Sequence, residues 1–264
     1  MTHWKEKRKL LFSFFTLLCV NLCKGKPSRL CPRSEQAVIR QTCKFLPGLH
    51  SFKSLFIREE IFLETTSASS AHFFVVNETM EIASNAVIHV GYATITNTST
   101  DICAGYGGSF GGRGGAPAHC SLKSNQSRAY GDVFNVTEGG SPGSGSGAGR
   151  GGAFIHIQTR KLIHQGIIRA NGQQGVAGSR GGGGSGGGVS IDSQEIEGSG
   201  RIEVLGGPGG SQGGPGGGGG RVSVRSAGST SAFSWPTVTY GGATGNKYTK
   251  DNVFICLAIG SLTL

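Results

Sequence analysis

The stretch Gly152-Ala-Phe-Ile155-His-Ile157 and the stretch Gly186-Gly-Gly-Val189-Ser-Ile191 decide the fold of this chain, because they begin two copies of one pattern. Shifting the sequence by 34 residues lays Leu162 on Ile196, Gly166 on Gly200, Ile168 on Ile202, Ala170 on Val204 and Gly172 on Gly206. A third copy opens 33 residues further on, where Arg221-Val222-Ser223-Val224 matches Gly188-Val189-Ser190-Ile191. Glycine matches mean little in a chain with 48 glycines, so the aliphatic positions carry the alignment. Val189 and Ile191, like Ile202 and Val204, are two apart and leave the same face of an extended strand. Ser190 and Glu203 then leave the opposite face, towards water. Gly198-Ser-Gly200 supplies a tight turn between two such pieces, since glycine accepts positive φ without steric cost.

A 34-residue period also belongs to a helical repeat, so the number alone does not choose the architecture. Composition does. No stretch after residue 100 keeps helical spacing over three turns, and each glycine in a helix costs about 1 kcal/mol. The expected fold is all-β: a short right-handed parallel β-helix, or solenoid-like repeat, with long glycine-rich loops. Stacked coils would place Ile157, Ile191 and Val224 in one aliphatic column, each buried side chain contributing roughly 1.5–3 kcal/mol. The series Phe74, Val76, Ile82, Ile88, Val90 has nearly the same spacing and reads as a preceding coil, with 91–150 as an insertion.

Two further patterns bear on the compartment. Lys5, Lys7, Arg8 and Lys9 precede an apolar run from Leu10 to Cys23, followed by small residues near Gly25, the order of a secretory signal at residues 1–25. A retained N-terminal anchor is the alternative, and both put the remainder on the oxidising side of a membrane. Loss of the leader removes five basic residues and one acid, taking the formal charge from +10 to about +6. A mild, scattered excess of that kind suits acidic glycans or anionic surfaces. Four sequons, at Asn77, Asn97, Asn125 and Asn135, are chemically competent for N-glycosylation.

Cys31, Cys43, Cys103, Cys120 and Cys256 remain after the leader. Four cysteines allow three pairings that sequence alone does not separate. Cys31–Cys43 and Cys103–Cys120 are preferred because each closes a short local loop. A zinc site is the alternative, but neither a C-x-x-C motif nor a matching histidine spacing is present. Residues 26–54 are read as an N-terminal cysteine-bearing segment, 55–245 as the glycine-rich domain, and 246–264 as a divergent tail, of a truncated product or an anchor signal.

The stretches Gly105-Tyr-Gly-Gly-Ser-Phe-Gly-Gly-Arg-Gly-Gly115, Gly166-Ile-Ile-Arg-Ala-Asn-Gly172 and Gly181-Gly-Gly-Gly-Ser-Gly-Gly-Gly-Val189 resemble a family of glycine-rich secreted and cell-surface repeat proteins, over roughly residues 75–228. The resemblance implies a parallel β-helix-like fold on extracellular proteins of mostly unassigned biochemistry. It brings no catalytic residues with it.

The functional expectation is an extracellular structural or surface-recognition protein, adhesive or matrix-forming, without catalysis. No cofactor or metal is expected. Expected partners are acidic glycans or other matrix and surface proteins, with self-association through the ends of the solenoid and no nucleic acid. A polysaccharide-acting β-helix enzyme or carbohydrate-binding module is the alternative. Such an enzyme needs carboxylates about 5–10 Å apart on one face, and Asp192, Glu195, Glu197 and Glu203 fall on one coil. The matching positions one coil earlier are Gln158, Lys161, Ile163 and Arg169, which reads as a solvated strand face. Arg-Gly-Gly pieces at Arg113, Arg150 and Arg180 suggest RNA binding, but the aromatic interleaving that it uses is nearly missing from 141–232. His89, His156 and His164 alternate with aliphatic neighbours and are expected to face outward.

Overall fold

The structure is a computed structural model. It describes residues 28–65, 71–93, 105–117, 128–132 and 134–226, and the backbone of three short strands beyond them. The described residues are strand-rich and contain no helix.

Two sheets are built wholly from parallel pairs. The first runs β1 (Gln36–Ile39), β4 (Ser54–Ile57), β6 (Ala71–Ile82), β8 (Phe154–His164), β10 (Gly188–Glu197), β12 (Arg221–Ser226) and β15 (Ile255–Ile259), and β3 (Gly48–Phe52) also pairs with β6. The second runs β11 (Arg201–Glu203), β9 (Ile167–Arg169), β7 (Val87–Val90), β5 (Ile61–Leu63) and β2 (Cys43–Phe45). A small antiparallel pair joins β13 (Gly241–Gly242) to β14 (Tyr248–Thr249). The sheets thus begin at residue 36, inside the segment that the sequence sets apart as 26–54.

The register follows the repeat. Ile155 pairs with Val189 and Val189 with Val222, and Ile157 pairs with Ile191 and Ile191 with Val224. In the second sheet Cys43, Ile61, Ile88, Ile168 and Ile202 follow one another across five strands. These inner faces of both sheets meet in one buried cluster. Parallel strands must be joined by long crossovers, and here the glycine-rich stretches supply much of that length.

β8 and β10 each change phase once, at a hydroxyl, whereas β6 keeps one phase and has Val76 at that position. Thr159, Ser193 and Ser226 stand in register and are all buried. Ser193 Oγ donates to the carbonyl of Glu195 at 2.7 Å or that of Arg160 at 3.3 Å, and Thr159 Oγ1 lies within 3.2 and 3.3 Å of the Lys161 and Glu78 carbonyls. A serine or threonine at this bend gives freed backbone carbonyls a donor where the ladder is interrupted.

The glycine runs are not solvent-facing loops. Every residue of Gly181–Gly188 and of Gly214–Gly220 is buried. Along 182–187 the amides bond outward with a three-residue period: Gly182 and Ser185 to the carbonyls of Ser144 and Ser141, Gly183 and Gly186 to Pro215 and Gly218, Gly184 and Gly187 to Gln173 and Ala170. The carbonyls repeat the scheme, with Gly182 and Ser185 accepting from Gly149 and Gly152, Gly181 and Gly184 from Gly210 and Gly207, and Gly183 from Gly108. Three residues per turn without internal hydrogen bonds is the geometry of a polyproline II helix. The central stretch is therefore ringed by six similar stretches and bonded to each of them. A Cβ on Gly184 would fall 1.9 Å from the Arg150 carbonyl oxygen, and one on Gly186 would fall 2.0 Å from that of Val204. Only glycine permits this spacing. At the exposed tips Gly178 and Gly213 have φ of 79° and 90°, so glycine there turns the chain. The described part of the expected insertion 91–150 belongs to the same bundle, with Gly112 and Gly115 donating to the Gly219 and Gly216 carbonyls.

Candidate functional site: strand faces and the glycine bundle

Outward-facing positions on adjacent parallel strands lie side by side, so charges in register form ladders across the sheets. Arg169 on β9 pairs with Glu203 on β11 at 2.5 Å, and Arg201 also reaches Glu203. Arg225 on β12 holds Asp192 on β10 through two hydrogen bonds, at 2.5 and 2.8 Å. Lys161 lies 2.7 Å from Glu197 and 3.8 Å from Glu195. Near the other end Arg58 grips Glu81, Lys44 meets Glu64 at 3.2 Å and Lys53 meets Glu78 at 3.6 Å.

All four carboxylates that motivated the enzymatic alternative are thus engaged by cations. Among the described residues no cluster of three or more His, Cys, Asp or Glu is placed to hold a metal ion.

Several expected outward positions are covered. Ser190 and Glu203 are buried. Glu203 lies beneath its two arginines, and the Ser190 position adjoins Ser223, whose Oγ donates to the Phe134 carbonyl at 3.0 Å. The stretch 134–138 crosses this outer face, with Val136 packed against Phe110 and Phe154. His164 is also buried rather than outward, because the phase change after Thr159 turns it into the column that holds Ile82. Burial pushes its imidazole down to about 4. His156 is half-buried, 3.7 Å from Asp192, and burial lowers it too. His89 stacks on Phe62 at 4.5 Å and lies 4.0 Å from Glu60.

One buried polar pair escaped the sequence reading. His50 and His72 sit inside the first sheet among Phe45 and Phe74. His72 Nε2 donates to the Glu64 carbonyl at 2.7 Å, which leaves its Nδ1 to accept from His50 Nε2 at 3.4 Å. Burial, the neighbouring His72 and Arg33 push His50 down to about 4, and burial lowers His72. The period-two alternation of His50 with Phe52, and of His72 with Phe74, was the available signal.

Cys31 and Cys43 form a disulfide, as the spacing suggested. Closing so short a loop contributes about 3 kcal/mol in the chain-entropy account. Asn77 and Asn135 are exposed. Asn97, Asn125, Cys103 and Cys120 lie outside the described residues, as does the side chain of Cys256. Comparison with protein-family models, with curated proteins and with solved structures finds no match.

Proposed function

We propose that the chain is an exported, non-catalytic structural or surface-recognition protein, built as a short right-handed parallel β-helix with a glycine bundle packed against its coils. The observation that carries this reading is the bundle itself. Backbone hydrogen bonds tie stretches from residues 105 to 220 into one body continuous with the sheets. Such a body spends its sequence on close backbone approach and leaves function to faces and edges. A rigid surface of this kind suits a matrix component or adhesin, and the exposed Asn77 and Asn135 suit glycosylation on the way out of the cell. The Cys31–Cys43 bridge accords with an oxidising compartment. The resemblance to glycine-rich secreted and cell-surface repeat proteins points the same way.

Expression of the full chain in a secretory host tests the reading. The expected product is a soluble, glycosylated protein in the medium that is retained on insoluble extracellular matrix and releases no sugar fragments from acidic polysaccharides. Release of such fragments by the wild type, lost in Asp192→Asn, would establish the enzyme instead. Retention of the chain in the cytosol or nucleus would equally defeat the proposal.

A further inference from the structure

Most cations of the strand faces are matched by carboxylates, as the ladders above describe, with Arg160 on β8 an exception. At the N-terminal end they are not. Arg33 and Arg40 are exposed and have no carboxylate partner among the described residues, and Arg29 bonds the amide oxygen of Gln41, a neutral group. Arg150, Arg160 and Arg180 are also exposed and without a carboxylate partner among the described residues, but none of them lines the cavity at this end. Arg29 and Arg40 flank one open cavity of about 220 Å³, together with Gln41, Pro32, Val38 and Cys43. That is below the roughly 300–1,000 Å³ of sites that enclose a drug-sized ligand. It suits one charged group and part of the ring that bears it, on a ligand that continues along the edge.

The rim is held in place. The disulfide fastens the stretch bearing Arg29 and Arg33 to β2, and the Cys31 amide donates to the Lys44 carbonyl while the Lys44 amide donates to that of Arg29, both at 2.9 Å. Arg40 comes from the other side, directly after β1. Two guanidinium groups are thus carried by separate, fixed backbones across one opening. Arg33 is exposed two residues beyond the bridged Cys31, on the same stretch as Arg29 and outside the cavity lining.

We propose that this rim is a binding site for the sulfate groups of a sulfated glycan, a proposal that rests on the surface-recognition reading and names its ligand class. A guanidinium fork matches the paired oxygens of a tetrahedral oxyanion, and it stays charged at every physiological pH. Several such groups spaced along a stiff polymer would engage Arg29, Arg40 and Arg33 in succession. Val38, at 43% exposure, offers an apolar patch to the C–H face of a sugar ring, and Gln41 a polar one to hydroxyls. A bilayer would call for aromatic anchors, and none lines this cavity.

The test is retention of the full-length secreted protein on immobilised heparin, a sulfated glycan, under increasing sodium chloride. Wild type should bind and be released by salt, because exposed charge pairs are screened within about 10 Å at 0.1 M. Arg29→Gln/Arg33→Gln/Arg40→Gln should bind at least about tenfold more weakly. The charge-matched control Arg150→Gln/Arg160→Gln/Arg180→Gln should stay within about twofold, and both variants should keep the wild-type thermal midpoint, since every altered side chain is exposed. Heparin stripped of its sulfates should not compete. Equal losses in the two triple variants would reduce the effect to net charge and overturn the site. Competition by desulfated heparin, or stronger capture by phosphatidylserine vesicles than by heparin, would also overturn it. A wild type that ignores heparin yet is retained on matrix would sink this site alone, whereas a wild type that ignores both would sink the recognition reading with it.

Discussion

Replacing Gly184 by alanine is expected to destabilise the protein by more than about 4 kcal/mol, a loss that is exceptional for one methyl group. Adding a methyl to an ordinary core costs roughly 1–3 kcal/mol, because neighbouring side chains shift to make room. No side chain stands in the way here. The new Cβ would meet the Arg150 carbonyl oxygen at 1.9 Å and its carbon at 2.3 Å. Those atoms are backbone, and the stretch that carries them is itself bonded to the central one through Gly149 and Gly152. Relief of one clash would break several hydrogen bonds. Gly178→Ala makes the matched comparison: a Cβ there meets nothing within 4 Å, but φ is 79°. Its expected cost is about 1–2 kcal/mol, from backbone conformation alone. Urea unfolding of the two variants beside wild type measures both values. A Gly184→Ala protein no less stable than Gly178→Ala would mean that the bundle does not pack as described.

Acid is expected to weaken the fold well above the pH at which ordinary carboxylates titrate. His50 and His164 have folded-state values of about 4 against 6.5 when exposed. Between those values the unfolded chain binds more protons than the folded one, so stability is complete above about pH 6.5 and falls as the pH drops towards 4. At pH 5 the loss is about 2 kcal/mol from each, or about 4 kcal/mol for the pair. Burial moves His72 in the same direction and adds to the fall. Urea melts at pH 7.5, 6 and 5 measure the change. His164→Leu, which puts an aliphatic group in the column of Ile82, should flatten the profile by about 2 kcal/mol over that range. Stability that is unchanged between pH 7.5 and 5 would contradict the burial of these imidazoles as neutral bases.

The aliphatic columns were legible in the sequence because buried strand positions repeat at fixed intervals whatever lies between them. Ile157, Ile191 and Val224 needed no more than their spacing. The strands at 36–52 were there to be read as well, in the alternation of Ala37 with Ile39 and Cys43 with Phe45, but they lack the glycine punctuation of the later repeats. What alternation cannot convey is a second layer. Ser190 was expected to be wet, since a half-buried strand shows one face to water, and that inference fails where the stretch 134–138 crosses the outer face. His164 was misplaced by one phase, because the hydroxyl at Thr159 marks a bend that a period of two does not register.

The glycine runs were hidden for a different reason. Local rules treat glycine as freedom, and 48 of them read as loops. The bundle uses glycine for the opposite purpose, to let backbones approach until amide and carbonyl meet between stretches distant in sequence. Its order lies in hydrogen bonds that carry no side-chain signature. Candidate functional groups were harder still to read, since a surface arginine looks the same in sequence whether a carboxylate answers it or not. Arg169 meets Glu203 through strand register, whereas Arg40, just beyond β1, meets no acid among the described residues.

The fold requires the glycine-rich stretches to be fixed by hydrogen bonds to one another. Amide hydrogen exchange of the native protein at neutral pH addresses that directly, residue by residue. The amides of Gly182–Gly187 should exchange as slowly as those of Val189 and Ile191 in the adjoining strand, within about tenfold, because both open only when the whole body unfolds. Exchange of Gly182–Gly187 at the rate of an unstructured peptide, beside a protected Val189 and Ile191, would contradict it.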